Sequence, residues 1–290
     1  MAQFLIEHAI EPQSRDDFVA FEVALNRLAA EDGEGFDIWS DQETRQTVIR
    51  GVDEQQLDGV VDRLRRKFGI AVSVGVPHAC YREILSRRVE VDYTYKKQLG
   101  AAGQFARIKL VFEPGESGSG YYFINEATAD ALPTEFARGV ERSLERSCKH
   151  GVLAGFPVID CTIRLADGAY HAVDSSVVAF EIAARGAYLE GLVKAQCKLV
   201  EPIMKVDITV PNDSVAAVVD DLKSKRAFEL KVDPCRVDAL VPLASMFRYS
   251  KALDALTGNR GVFAMVFDRF APVPPAADPG PFRPAMGMRA

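Results

Sequence analysis

Apolar residues recur at two different periods along this chain, and the switches between them divide it into elements. Residues 4–10 alternate and stop at Pro12, which reads as a strand. Ser14 stands where a helix cap belongs, with Asp16 and Asp17 in the first turn, where carboxylates suit the positive helix end. Phe18, Phe21, Leu25 and Leu28 then repeat at helical spacing, and Gly33 and Gly35 end the run. Residues 36–39 and 47–51 read as a hairpin around 41–45. Leu57, Val60, Val61, Leu64 and Phe68 form a second helical stripe, closed by Gly69 at a C-cap position, and 72–76 is a last strand. The order β-α-β-β-α-β is the ferredoxin-like split motif.

The last third repeats that order. Residues 203–210 read as a strand, and Val215, Val218, Val219 and Leu222 as one face of a helix opened by Pro211-Asn212-Asp213. A hairpin of 228–232 with 237–241 turns at Asp233-Pro234, a helix spans 244–256 up to Gly258-Asn259, and 262–267 closes the module. The middle differs. There 89–97 and 105–112 alternate like paired strands, and 133–149 is helical with Phe136, Val140, Leu144 and Cys148 stacked. A strand at 158–165 follows, then an alanine-rich helix to about Ala195, with Ser175 or Ser176 as its cap. From Pro272 onward proline, glycine and alanine dominate, the composition of a disordered tail. The expected boundaries are 1–83, 84–199, 200–271 and a tail of 272–290. The three modules are expected in a row, with few contacts between the first and the last.

Composition narrows the class. The chain has 290 residues, 48% hydrophobic and 26% charged, the profile of a soluble globular protein of two or three domains. No apolar run approaches the ~20 residues of a membrane span. The opening MAQFLIEHAIEP lacks the basic-apolar-small order of a signal peptide, so the expected location is the cytoplasm. The formal net charge of −6 argues against a protein that coats nucleic acid, but leaves room for local patches. Candidates are Arg63, Arg65, Arg66 and Lys67; Arg87 and Arg88; Lys96 and Lys97; Lys223, Lys225 and Arg226. The first run reads as an ordinary solvated helix face.

Candidate chemistry is sparse. Cys80, Cys148, Cys161, Cys197 and Cys235 contain no C-x-x-C pair and read as reduced thiols. The histidines make no metal-ligand spacing with them, so no metal is assigned. No G-x-x-x-x-G-K-[ST] loop occurs, so no phosphate cradle of that kind is present. Gly115, Gly118 and Gly120 have the wrong order for a dinucleotide fingerprint and read as a turn. Gln98 to Gln104 (QLGAAGQ) joins two strands, and on its own is a hairpin loop. Arg107 reads equally as an RNA-facing group or an unpartnered strand arginine. His171 has no nucleophile or second base near it in sequence, so no catalytic residue is assigned. Asp174 and Ser175 are expected to cap the helix that follows.

Two stretches carry a family resemblance. In VDYTYKKQLGAAGQFARIKLVFEPGESGSG, the residues Tyr95, Lys97, Gln98, Gly100, Gly103, Gln104 and Phe105 stand in the register of the fourth domain of elongation factor G. In DGAYHAVDSSVVAFEIAARGAYLEGL, Gly168, Tyr170, His171, Val173, Asp174, Ser175, Ser176, Phe180 and Ala183 do the same. EPIMKVDITVP and VPLASMFRYSKALDALTGNRG are similar to that family's fifth domain, and IEHAIEP, ALNRLAAED and VDRLRRKFGIAVSVGVPHACYRE to its third. The resemblance implies an α+β chain, with two ferredoxin-like modules flanking a ribosomal-protein-S5-domain-2-like arm. It implies an RNA-contacting tip made of Gln98, Leu99, Gly100, Ala101, Ala102, Gly103, Gln104, Arg107, Tyr170 and His171.

The role it implies is non-covalent. The arm would mimic a transfer RNA anticodon arm in the small-subunit decoding region, acting on messenger and transfer RNA. The fifth domain would face the large-subunit stalk base and sarcin-ricin region. No cofactor is expected in this chain, GTP and Mg belonging to the parent's GTPase domain, and a monomer is expected. Leu99, Ala101 and Ala102 depart from the family pattern, as do GVDEQQLDG in the first module and Lys225-Arg226-Ala227 in the last. They point to a divergent paralogue. The alternatives are a stand-alone ribosome or RNA-interaction protein, or part of a ribosome-recycling or tetracycline-resistance-type ribosome-protection factor.

Overall fold

The computed structural model describes residues 4–33, 35–40, 46–99 and 102–274. Two compact units result. One combines the N-terminal stretch ending at Cys80 with Glu201–Ala271, and the other is built on Tyr81–Val200.

The N-terminal module runs β1 (Ile6–Pro12), a 3-10 turn (Arg15–Asp17), α1 (Phe18–Asp32), β2 (Asp37–Ser40), β3 (Thr47–Gly51), α2 (Glu54–Phe68), β4 (Val72–Val74) and a short β5 (His78–Ala79). Its antiparallel sheet is ordered β2-β3-β1-β4, the ferredoxin-like arrangement, with β5 also on β1. Ser14 caps the 3-10 turn, accepting from the Asp16 N–H, rather than capping α1 directly. Asp53 caps α2 by accepting from the Gln56 N–H at 2.8 Å, and Gly69 ends it in the left-handed conformation, φ 69°. Phe21, Leu25, Leu28, Leu57, Val60 and Leu64 are the buried faces of the two helices. Full burial of each such side chain is worth about 1.5–3 kcal/mol.

The central unit contains β6 (Arg82–Ile84), β7 (Val89–Leu99), β8 (Ala102–Pro114), β9 (Tyr121–Asn125), α3 (Thr134–Ser147), β10 (Cys161–Ala169) and α4 (Val177–Ala195). Its sheet is ordered β7-β8-β10-β9, with β9 and β10 parallel across the α3 crossover. Both helices pack against one face, around Ile108, Leu110, Phe112, Val140, Phe180 and Tyr188. Gly186 and Gly191 let α4 lie close to the strands. A Cβ at these positions would run into the Tyr93 and Phe112 rings respectively. β10 begins at Cys161, later than expected, because Asp160 takes a positive φ of 52°. Its carboxylate accepts from the Gly118 and Gly120 N–H groups at 3.0 and 2.9 Å, which makes the glycine-rich segment a latched turn.

β11 (Lys198–Thr209) pairs with β6 through its first residues. The last module continues with a 3-10 turn (Asn212–Ser214), α5 (Val215–Ser224), β12 (Phe228–Asp233), β13 (Arg236–Pro242), a second such turn (Leu243–Ser245), α6 (Tyr249–Thr257) and β14 (Val262–Pro272). The sheet order β12-β13-β11-β14 repeats that of the first module. α6 starts later than the apolar pattern indicates, because Arg248 is left-handed at φ 56° and breaks the run. β14 reaches Pro272, and 275–290 of the proline-rich stretch lie outside the described residues.

One expectation is corrected. The first and last modules are not remote from each other, because Ile6, Ile10, Phe21 and Leu25 belong to the same buried cluster as Val206, Ile208, Val218 and Leu222. The Glu54 carboxylate accepts the Arg248 backbone N–H at 3.2 Å. β1 is buried along Ile6–Ile10 on both of its alternations, whereas an isolated sheet with helices on one face would leave the other wet. Among the described residues no helix is long and apolar enough to cross a membrane.

Candidate nucleic-acid interface

The β7–β8 hairpin carries the first resembling segment. Its register pairs Lys96 with Phe105, Lys97 with Gln104, Gln98 with Gly103 and Leu99 with Ala102. Gly100 and Ala101 lie outside the described residues, and Leu99 and Ala102 are the last backbone pair before them. Over most of β7 exposure alternates, but Lys96, Lys97 and Gln98 are all exposed. The Tyr95 hydroxyl donates to the Gln104 Oε1 at 2.9 Å and fixes that side chain across the ladder.

The second segment, after β10, is fastened to the first. The Phe105 N–H donates to the Asp174 carbonyl at 2.9 Å, and the Ser175 hydroxyl donates to the Phe105 carbonyl at 2.7 Å. Ser175 Oγ also accepts from the His171 N–H at 2.9 Å, and the Ser175 N–H donates to the His171 carbonyl at 3.0 Å. Gly103 lies against this closure, and a Cβ there would lie 2.9 Å from the Asp174 carboxyl carbon, so that the Asp174 side chain would have to shift. Of the expected caps, Asp174 and Ser175 are therefore corrected and Ser176 stands. Ser176 caps α4, accepting from the Ala179 N–H at 3.2 Å, while Ser175 is spent on the loop-to-strand link.

The structure sorts the expected tip residues by what their side chains already touch. His171 Nδ1 lies 3.4 and 3.2 Å from the Val173 and Asp174 amide nitrogens and 3.2 Å from the Asp174 Oδ2, which ties the ring into its own turn. The Tyr170 ring leans on Phe136, with centroids 5.9 Å apart. Arg107 points along the open face of the sheet, donating to Asp92 from Nε at 2.9 Å and reaching Asp167 at 3.4 Å. The Asp92 carboxylate, first by hydrogen bond and then by charge, raises the guanidinium pKa further, so Arg107 is charged but already paired. A planar guanidinium held by two carboxylates has little left to offer a phosphate.

That pairing extends along the open face away from the hairpin end. Arg88 meets Glu90 and Glu113 at 2.9 and 3.1 Å, and Lys109 meets Glu90 at 3.1 Å. Arg164 bridges Glu113 and Glu126 at 2.8 and 2.7 Å. Glu113 has its pKa lowered chiefly by the hydrogen bond from Arg164, and Glu90 by that from Lys109. The face is a self-neutralised lattice. Lys96 and Lys97 stand outside it and make no ion pair with the described residues. The sequence marks them only as a basic pair, and strand alternation does not rank them above Arg107, which is paired with Thr94 and faces the same side as Lys96. The run Arg63 to Lys67 is a different case. Arg63 is held by Asp32, Lys67 by Glu31 at 2.7 Å and Arg66 by Asp62 at 3.5 Å, so this helix face is largely compensated. Among the described residues no cluster of histidine, cysteine or carboxylates could hold a metal ion.

Comparison with known proteins follows this geometry segment by segment. Residues 1–76 match the family model described as elongation factor G, domain III; 77–196 match that of domain IV; 198–279 match that of the elongation factor G C-terminus. The elongation factors G of Paracoccus denitrificans and of Cereibacter sphaeroides are each 45% identical to this chain over 274 residues. Each match covers 93% of this chain and 39% of the relative, so the chain spans about two fifths of the length of these curated relatives. A crystal structure of a Thermus thermophilus protein superimposes with a TM-score of 0.71 at 32% identity, covering 95% of this chain and 42% of that one. The fold, the order of the three matches and the identity over nearly the full length agree: the chain belongs to the elongation factor G family and carries its domains III and IV and its C-terminal domain.

Proposed function

We propose that this chain is the ribosome-engaging C-terminal region of an elongation-factor-G-like translation factor. Its domain IV works as a non-covalent arm that takes the place of a transfer RNA anticodon arm near the decoding region and biases movement of messenger and transfer RNA. The C-terminal domain faces the stalk base and sarcin-ricin region of the large subunit. The chain is no enzyme by itself, and GTP and Mg are bound by a domain outside the matched region. It acts in the cytoplasm, as a monomer. The departures at Leu99, Ala101 and Ala102 favour a divergent member over the housekeeping translocase.

The observation that carries the reading is the hydrogen-bonded closure of two segments, around Phe105 and Ser175, beside two lysines that form no ion pair with the described residues. The adjoining sheet face has its charges cancelled. Such an arm presents cations to phosphate at its end and not along its side. The test is co-sedimentation with ribosomes of the parent and of a Lys96→Glu, Lys97→Glu variant. The variant should bind more weakly, and the slope of log affinity against log salt should fall by about 1 per lost phosphate contact. Equal binding at low and high salt would refute the assignment of the tip. Calorimetry with GTP should give no binding heat from the purified chain.

A further inference from the structure

α4 is apolar on both sides, which is unusual for a surface helix. Its inner face is buried through Ala179, Phe180, Ala183, Ala187, Tyr188 and Leu192. Its outer face exposes Val178 (58%), Ile182 (41%), Leu189 (47%) and Val193 (68%), with Arg185 the one charged group among them. The stripe follows one helix face for about 22 Å, at about 1.5 Å per residue. Beside it a cleft of about 540 Å³ opens between α3 and α4. Near the start of α4 the helices touch closely, since a Cβ on Gly139 would lie 2.9 Å from Val177 Cγ1. Past the Ser143 hydroxyl, which donates to the Glu181 carbonyl at 2.8 Å, the cleft is lined by Ser147, His150, Arg185, Tyr188 and Leu189 and leaves room for an inserted side chain.

The charges around the stripe are unbalanced. Arg142 and Arg146 share a single carboxylate, Glu181, at 3.6 and 3.3 Å. Arg185 makes no ion pair with the described residues. One rim of an aliphatic stripe is therefore left positive. A nucleic acid is a poor match for this surface. Its phosphates need cations along the whole contact, and Tyr188, which lines the cleft, is buried with its hydroxyl donated to the His150 carbonyl at 3.2 Å. An amphipathic helix matches better, because its own apolar residues recur at the spacing of the stripe.

We propose that the α3–α4 face of the central domain is a docking surface for an acidic amphipathic helix of a partner protein. The partner's apolar residues seat on Val178, Ile182, Leu189 and Val193, and its carboxylates meet Arg146 and Arg185. This stands apart from the role of the tip.

The test uses the full chain and two designed helical peptides of about 18 residues. Both carry leucines spaced to match the stripe. One is flanked by glutamates and the other by lysines, and binding is read by fluorescence anisotropy. The acidic peptide should bind at least about tenfold more tightly than the basic one, with the difference shrinking as salt rises. Ile182→Glu and Leu189→Glu should each weaken it about tenfold or more. The double variant Arg146→Glu, Arg185→Glu should reverse the preference towards the lysine peptide, a gain that misfolding cannot produce. Equal binding of the two peptides would overturn the proposal. So would displacement of the acidic peptide by a single-stranded RNA oligomer, or sedimentation of the chain as a dimer that Leu189→Glu dissolves.

Discussion

Ser175→Ala tests the architecture of the tip most directly. The substitution keeps the backbone and Cβ and removes only the hydroxyl that joins the two segments. That oxygen donates to the Phe105 carbonyl at 2.7 Å and accepts from the His171 N–H at 2.9 Å. Each bond contributes about 0.5–1.5 kcal/mol net, so the pair is worth about 1–3 kcal/mol. The loss should appear as local opening and not as global unfolding, because the α4 cap is the neighbouring Ser176. A change of about 1–3 kcal/mol corresponds to roughly a 5- to 150-fold rise in the open population. Native-state hydrogen exchange reads it at two amides, Phe105, bonded to the Asp174 carbonyl, and Ser175, bonded to that of His171. Ser175→Thr, which keeps the hydroxyl, should restore most of the protection. If both amides in Ser175→Ala exchanged at the parental rate, the segments would be held by something other than this side chain. The structural basis of the tip assignment would then fail.

Glu83 is fully buried, and its carboxylate accepts from the amides of Val152, Leu153, Ala154 and Gly155 at 2.9–3.2 Å. Glu83→Gln turns one acceptor into a donor facing Val152 and should destabilise the central unit by about 1–3 kcal/mol in urea unfolding. Gly151→Ala should do likewise, since its Cβ would clash with that carboxylate. Two helical glycines should respond with opposite signs. Gly59→Ala, with nothing within 4 Å, should stabilise by about 0.5–1 kcal/mol, whereas Gly191→Ala meets the Phe112 ring and should destabilise by about 1–3 kcal/mol. Melting temperatures of both variants decide this. His8 is 6% exposed, and burial lowers its pKa below 6.5. Above that value the group is neutral whether folded or unfolded and has no linkage effect. As pH falls below it, the unfolded chain takes up a proton that the folded chain resists, so stability declines. His8→Asn should flatten the decline that sets in below pH 6.5, and an unchanged slope would assign the effect elsewhere.

The elements and their order follow from local patterns alone. Phe21, Leu25 and Leu28, or Val215, Val218 and Leu222, declare a helix face through spacing, because side chains three and four apart must share a side, although Phe18 of the same pattern is exposed at the helix start. The glycines at 33, 69 and 258 mark helix ends for an equally local reason, positive φ. The resemblance of two separated stretches singled out the two segments that meet at Phe105 and Ser175. What the chain could not declare locally was pairing across space. Arg107 reads as a free RNA-facing cation until the β7–β8–β10 register sets Asp92 and Asp167 beside it. Ser175 reads as a cap until the 171–175 turn is laid against Phe105. The Ile6–Ile10 strand shows its apolar character, but not that the first and last modules share one core. Each of these depends on groups dozens of residues apart in the chain. Such contacts belong to the assembled fold, because the same side chain can pair, cap or stay free according to what folding brings within hydrogen-bonding distance.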